Sequence, residues 1–318
     1  MANLKNLIAL TVMSVMLLGC TKNTNIIYIG NAEDNDSTET VNSNKKSYIT
    51  FSGYIESVAS YTKTLTSMPM NEVATIYIYK NGQNPDYAIP SDVCSCLSHM
   101  HGLLEPLSNK DSVYLAKGKY EFYSISNLSK ETPPVFTNGI SEGLKNGIDY
   151  AWAKHPNFEV ESKHTNVPLT YVHSATQIAV KLHTGKGITL DSIVSASFYP
   201  SKEGGRMHLN SGYIEPAVEY SNKLSNLVLS GHLALSTILP IKTTQSLKVT
   251  YELLLNNDLT KKEFVVNIPL PDNELKAGIT YLFNVTLETN EISFSNVNII
   301  EWINVDNTGK PLYPSQYD

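Results

Sequence analysis

Leu247-Lys248-Val249-Thr250-Tyr251-Glu252-Leu253 alternates apolar and polar side chains without a break. A period of two sends successive side chains to opposite faces of an extended strand, so this segment offers one face to a core and the other to water. The rhythm recurs along the chain. Ile49, Phe51 and Ile55 carry it first, then Ile76 and Ile78 between Tyr77 and Tyr79, and Tyr120 and Phe122 between Lys119 and Glu121. Further on it returns in Ile178, Val180 and Leu182, in Leu227 and Leu229, in Val265 and Ile268, and in Ile279, Tyr281, Phe283, Val285 and Leu287. Gly, Pro, Asn or Asp bound these runs, and Asn81-Gly82, Asn138-Gly139 and Asn146-Gly147 supply the left-handed conformations of tight turns. No long amphipathic helical pattern interrupts them. The expected class is all-β, a sandwich or barrel rather than a doubly wound sheet. A polar stretch, Glu161-Ser162-Lys163-His164-Thr165-Asn166, precedes Val167-Pro168 and a new series of strands. It marks a break between two β domains, residues 47–165 and 166–318. Near the end, residues 291–305 place Ile292, Phe294, Val297, Ile300 and Trp302 along one further strand, either an internal edge or one offered to a neighbour.

The beginning of the chain has a different character. Lys5 precedes an apolar run over residues 7–18, which reads as a signal peptide and is too short to span a bilayer as a helix. It ends in Leu17-Leu18-Gly19-Cys20, the form of a lipobox in which Cys20 is acylated and becomes the new N-terminus. Acyl chains contribute about 0.8 kcal/mol per buried CH₂, so several on one cysteine hold a protein firmly to a membrane. With residues 1–19 as leader, residues 20–46 form a polar, flexible tether in which only Ile26-Ile27-Tyr28-Ile29 can bury anything. Removing the 19-residue leader from 318 leaves 299 residues, enough for two cores.

Net charge is −6, a mild acidity that speaks against nucleic acid as a partner. Arg206 is the only arginine, so bidentate clamping of phosphate or carboxylate has little material. Cys94, Cys96, His99 and His101 are four potential soft-metal ligands within eight residues. Structural zinc sites, however, draw their pairs from separate elements, with two to four residues between members, whereas one residue separates these cysteines. A disulfide or unrelated loop cysteines account for them better than a metal. No Gly-x-Ser-x-Gly, His-Glu-x-x-His or phosphate-binding glycine loop is present, and Asp149, Glu159 and Glu161 lie scattered on strand ends. The expectation is a protein without catalytic residues or cofactor. His173 and His183 read as structural, and packing accounts for most of the nineteen tyrosines.

Four stretches resemble the fimbrillin-like proteins, which include the type V pilins. Residues 114–126, YLAKGKYEFYSIS, are similar to that family's L-x-x-G-x-Y-x-F-Y strand. Phe136-Thr137-Asn138-Gly139-Ile140, followed by Gly147-Ile148-Asp149-Tyr150-Ala151-Trp152-Ala153, resembles its F-x-N-G and G-x-D-Y-L-W-A segment. Residues 167–178, VPLTYVHSATQI, look like its entry into a second domain, and Met207-His208-Leu209-Asn210-Ser211-Gly212-Tyr213-Ile214 resembles the turn that follows.

The resemblance implies two tandem transthyretin-like β-sandwich domains, export as an outer-membrane lipoprotein, and a place as shaft, tip or anchor subunit of an adhesive fimbria. Assembly would proceed by strand exchange with other fimbrial subunits, an open sheet being completed by a neighbour's strand. Ile292, Phe294, Val297, Ile300 and Trp302 are then the donated side chains, and the Ile49-Phe51-Ile55 strand is the one displaced. Family shaft pilins are matured at an arginine, and none precedes Arg206. Cleavage would fall instead at a lysine, Lys45, Lys46 or Lys63, or the subunit would remain anchored through Cys20. The alternative is a monomeric surface lipoprotein that binds glycan or a host protein.

Overall fold

The computed structural model describes residues 46–59, 62–306 and 308–313; Cys20, Lys45, the leader and the tether through residue 45 lie outside them. The first half contributes β1 (Ser47–Ala59), β2 (Thr62–Ser67), β3 (Val73–Lys80), β4 (Asp92–Ser98), β5 (Leu103–Pro106), β6 (Val113–Leu115) and β7 (Gly118–Ser126). After a two-residue hairpin, β8 (Phe136–Thr137) with β9 (Ile140–Ser141), come β10 (Ala151–Val160) and β11 (His164–His173). Strands β11, β10, β7, β3, β4, β5 and β1 are neighbours in that order, and β1 also pairs with β11, so seven strands close on themselves. The closing pair is parallel, with Phe51 opposite Val167 and Ile55 opposite Tyr171. The expected sandwich therefore takes the form of a closed barrel here, which leaves the inward face no open edge. Its interior holds Ile49, Phe51, Ile76, Ile78, Phe122 and Leu169, together with both Cys94 and Cys96. The sequence break at residues 165–166 falls inside β11, and the next strand starts at Thr176.

The second half builds β12 (Thr176–Thr184), β13 (Leu190–Tyr199), β14 (Ser225–Asn226), β15 (Val228–Ser230), β16 (Leu233–Ile238) and β17 (Ile241–Lys242). The series ends with β18 (Leu247–Leu255), β19 (Asp258–Ile268), β20 (Glu274–Leu275), β21 (Thr280–Leu287) and β22 (Ile292–Ile300). One sheet runs β15-β16-β12-β21-β22 and another β14-β13-β18-β19. They share one core in which Ile178, Val180 and Phe283 from the first meet Phe198, Val249 and Tyr251 from the second. Strand β18 carries the expected alternation, with Leu247, Val249, Tyr251, Leu253 and Leu255 buried and the intervening residues half-buried. In β19 the inward residues are Phe264, Val266 and Ile268, while Val265 is exposed. Pairing with β18 sets that phase, since Val266 lies opposite buried Val249. Among the described residues no α-helix forms.

Left-handed turns appear where Asn-Gly pairs predicted them, with Asn138 at φ 49° and Gly139 at φ 70°. Asn256 and Asn257, at φ 56° and 58°, make an equivalent two-residue turn between β18 and β19 without any glycine. Asparagine tolerates this region better than other side chains, which is what permits the pair.

A third cluster joins the halves. Tyr77, Tyr79, Tyr123 and Tyr150 from outside the barrel pack with Met207, Leu209, Ile214 and Leu239. Strand β3 is consequently buried on both faces, although its sequence reads as half-buried. The backbone is stitched as well: Ser141 N–H donates to Met207 O at 2.9 Å and Leu209 N–H to Gly139 O at 2.8 Å. Trp152 Nε1 donates to Leu209 O at 2.7 Å. Gly212 sits at φ +69°, where an added Cβ would come within 2.6 Å of the Trp152 ring. Gly212→Ala thus combines left-handed strain with overpacking and should cost about 2–4 kcal/mol. A urea midpoint lowered at unchanged m-value would register it.

Candidate functional site

The tail begins as an edge strand. Among the described residues β22 pairs only with β21, antiparallel, with Ile292 opposite Leu287, Phe294 opposite Val285, Val297 opposite Phe283 and Ile300 opposite Thr280. A bulge shifts the register between Asn284 and Val285, which keeps both Phe294 and Val297 on the core side despite their odd spacing. Ile292 is buried, and Phe294 and Val297 pack against the core from partly buried positions. Four of the five proposed donor side chains, Ile292, Phe294, Val297 and Ile300, thus lie on a strand paired with this chain's own sheet, and Trp302 lies just beyond its end.

Beyond Ile300 the chain leaves the edge and crosses the outer face of the same sheet. Ile303 is buried there with Ala179, Leu233 and Leu235. Gln177 holds it from both sides, its Oε1 accepting Ile303 N–H at 2.9 Å and its Nε2 donating to Ile303 O at 2.8 Å. Thr280 Oγ1 donates to the same Oε1 at 2.8 Å, so this buried amide spends its capacity on the tail and the strand beside it.

Trp302 closes the clasp. Its ring stacks on His173 at 4.0 Å between centroids and 13° between planes. Trp302 Nε1 donates to Asp149 Oδ2 at 2.8 Å. Asp149 Oδ1 takes His173 Nδ1 at the same 2.8 Å, so one carboxylate holds both rings. Asp149 precedes β10 and His173 ends β11, which means that the tail of the second half is fastened to the rim of the barrel.

Glu72 stands beside this group at the start of β3. Burial first, and the Asp149 charge second, push its carboxyl from an ordinary 4.5 up to about 7, with Lys130 pulling weakly the other way. Its Oε2 is buried and has no hydrogen-bond partner among the described residues. A carboxyl raised in the folded state binds its proton more tightly there than when unfolded, so stability is lost as pH rises from about 4.5 to about 7 and is flat above. Glu72→Gln should remove that slope and make the protein more stable than the parent at pH 8. Urea titrations at several pH values would measure it, and parallel pH profiles for parent and variant would contradict it.

The other residues singled out from the sequence do not converge. Cys94 and Cys96 are free thiols pointing into the barrel, on β4 rather than in a loop. A hydrogen bond to Cys96 and burial push the Cys94 thiol far up, the opposite of a reactive or metal-binding thiolate. His99 lies 3.3 Å from Glu105 on the surface, and His101 is exposed at φ 61°. Among the described residues no group of three or more His, Cys, Asp or Glu is placed to hold a metal. Lys46 is exposed just ahead of β1, and Lys63 is 70% exposed with its Nζ 2.7 Å from Glu56. The Asp149–His173–Trp302 group and the Gln177 clamp were not legible as a site, because their members lie 24 to 153 positions apart.

Several solved structures share the fold. A candidate cell adhesion protein of Bacteroides uniformis superposes with a TM-score of 0.60 at 14% identity, covering 81% of this chain and 98% of its own. Another from Bacteroides ovatus gives 0.60 at 15% identity, covering 82% and 99%. A third from Bacteroides fragilis gives 0.54 at 13%, covering 82% and 99%. No curated protein matches the chain. The fimbrillin-like family model matches residues 70–302, from just before β3 to the tryptophan of the clasp. The chain belongs to the fimbrillin-like family.

Proposed function

We propose that this protein is a structural subunit of an adhesive cell-surface fimbria, exported as a lipoprotein through Cys20 and assembled by strand exchange, with no catalytic role. The carrying observation is that β22, among the described residues, is bonded along one edge only and continues into a tail held by side chains, a segment able to leave its own sheet and add to an open strand edge on a neighbour. At the other end of the chain, β1 follows the tether directly and closes the barrel as a parallel partner of β11. Cleavage at Lys63 would remove it, and cleavage at Lys45 or Lys46, just ahead of it, would free its N-terminal end for displacement; either leaves a groove flanked by β5, β6 and β11. A neighbour's tail, led by Ile292, Phe294, Val297, Ile300 and Trp302, would fill that groove. The fimbrillin-like family and the adhesion proteins of like fold agree with a surface role. We read the two halves as the tandem transthyretin-like domains, divided after β11 at Ser174.

N-terminal sequencing and intact-mass analysis of envelope-derived protein, beside SDS-resistant laddering, test this reading. A chain trimmed beyond residue 45 that ladders is the expected result. An acylated, untrimmed Cys20 without ladders would overturn polymerisation and leave a monomeric binding lipoprotein.

A further inference from the structure

Where the turn after β3, the outer face of β7 and β10, and the 208–213 turn of the second half meet, a cleft of about 450 Å³ opens. That size is within the range of small-molecule sites. Its polar lining includes Gln83, Asn84, Glu121, Lys154, Asn210 and Ser211.

The floor is a balanced pair of charges. Burial alone would raise Glu121, but the Tyr123 hydroxyl, the Gly82 N–H and Lys154 outweigh it and hold the carboxyl below its ordinary range. The Tyr123 hydroxyl donates to Glu121 Oε2 at 2.6 Å, and Lys154 Nζ stands 3.7 Å from that oxygen and 4.9 Å over the Tyr123 ring. An anion placed here meets Glu121 and a cation meets Lys154, so the floor favours a ligand without net charge.

The rim is pre-formed and has polar groups to spare. Asn210 Nδ2 donates to Asp86 Oδ2 at 2.9 Å, and Asp86 N–H donates to Asn84 Oδ1 at 3.0 Å. Gln83 Oε1 accepts Lys80 N–H at 3.1 Å. Each amide is thereby fixed at one end, while Gln83 Nε2, Asn84 Nδ2 and Asn210 Oδ1 have no protein hydrogen bond among the described residues. Two donors and an acceptor, beside an ammonium with protons to spare, match adjacent hydroxyls, each of which both donates and accepts. Little ordering remains to be done when such a ligand arrives.

We propose that this cleft binds a neutral saccharide unit. The Tyr123 ring is covered by Lys154 and offers no stacking face, so a single site is expected to bind weakly. Repetition of weak sites along a polymer raises avidity without any new contact. The proposal rests on the chemistry of the cleft and not on strand exchange, and monomeric protein tests it.

Saturation-transfer NMR on the full mature chain, with lactose, maltose, mannose and N-acetylglucosamine as probes and 3′-sialyllactose as the acidic comparator, reads the outcome. Saturable binding of at least one neutral probe is expected, weakened about tenfold by Lys154→Met and by Gln83→Ala at unchanged Tm. No binding by any neutral probe, binding of the sialylated one alone, or affinity unaltered in both variants would overturn it.

Discussion

Trp302→Ala is expected to destabilise the monomer by about 3–5 kcal/mol, the range for removing a buried tryptophan. Three contacts disappear together: the stack on His173, the hydrogen bond to Asp149 Oδ2, and most of the burial of a ring that is only 8% exposed. An acceptor on Asp149 is left without its donor, beside a Glu72 already unpartnered at Oε2 among the described residues. Trp302→Phe separates the contributions in part, because it keeps an aromatic ring to stack on His173 while losing the N–H and the five-membered part of the indole; about 1–3 kcal/mol should follow. Urea unfolding of both variants measures this. In assembly assays the alanine variant should ladder poorly if the tail is the donated strand, since the ring that clasps in cis would be missing in trans. Unimpaired laddering with a destabilised monomer would mean that some other strand is exchanged.

Removing β1 should have a larger effect still. Proteolysis after Lys63 takes away the strand that pairs with β11 on one side and with β5 and β6 on the other. The barrel then loses Ile49, Phe51 and Ile55 from its core, and the Cys94 and Cys96 thiols beneath them meet solvent. In a Cys20→Ser chain these two are the only thiols left. Intact protein should react with a thiol reagent only as slowly as the barrel opens, and trimmed protein should titrate both thiols at once. A peptide of residues 291–305 added to the trimmed chain should restore protection. Trimmed protein whose thiols stay protected without peptide would show that β1 is dispensable to the closed core.

The sequence by itself determined the class of fold and most of its strands. Alternation in residues 247–253 needs no partner to be read, because the period of two is a property of the extended backbone. The Asn138-Gly139 turn was equally local, resting on which residues tolerate positive φ. Within residues 291–305 the strand over Ile292–Ile300 was also readable, whereas the departure of the chain from the sheet before Trp302 was not. Tertiary structure decided the rest. Val265 and Val266 are interchangeable by hydrophobicity, and only the register with Val249 turned the second inward. Tyr77 and Tyr79 are buried because residues some 130 positions later, Met207 and Leu209, cover them. Closure of the barrel depends on β1 reaching β11 across more than a hundred residues, with Thr50 and Thr165 brought together at a separation of 115. The clasp of Asp149, His173 and Trp302 is decided in the same way. Periodicity records which face of a strand is dry, but it has no range beyond the strand, so pairing partners, register and any site assembled from distant loops are fixed only when the whole chain packs.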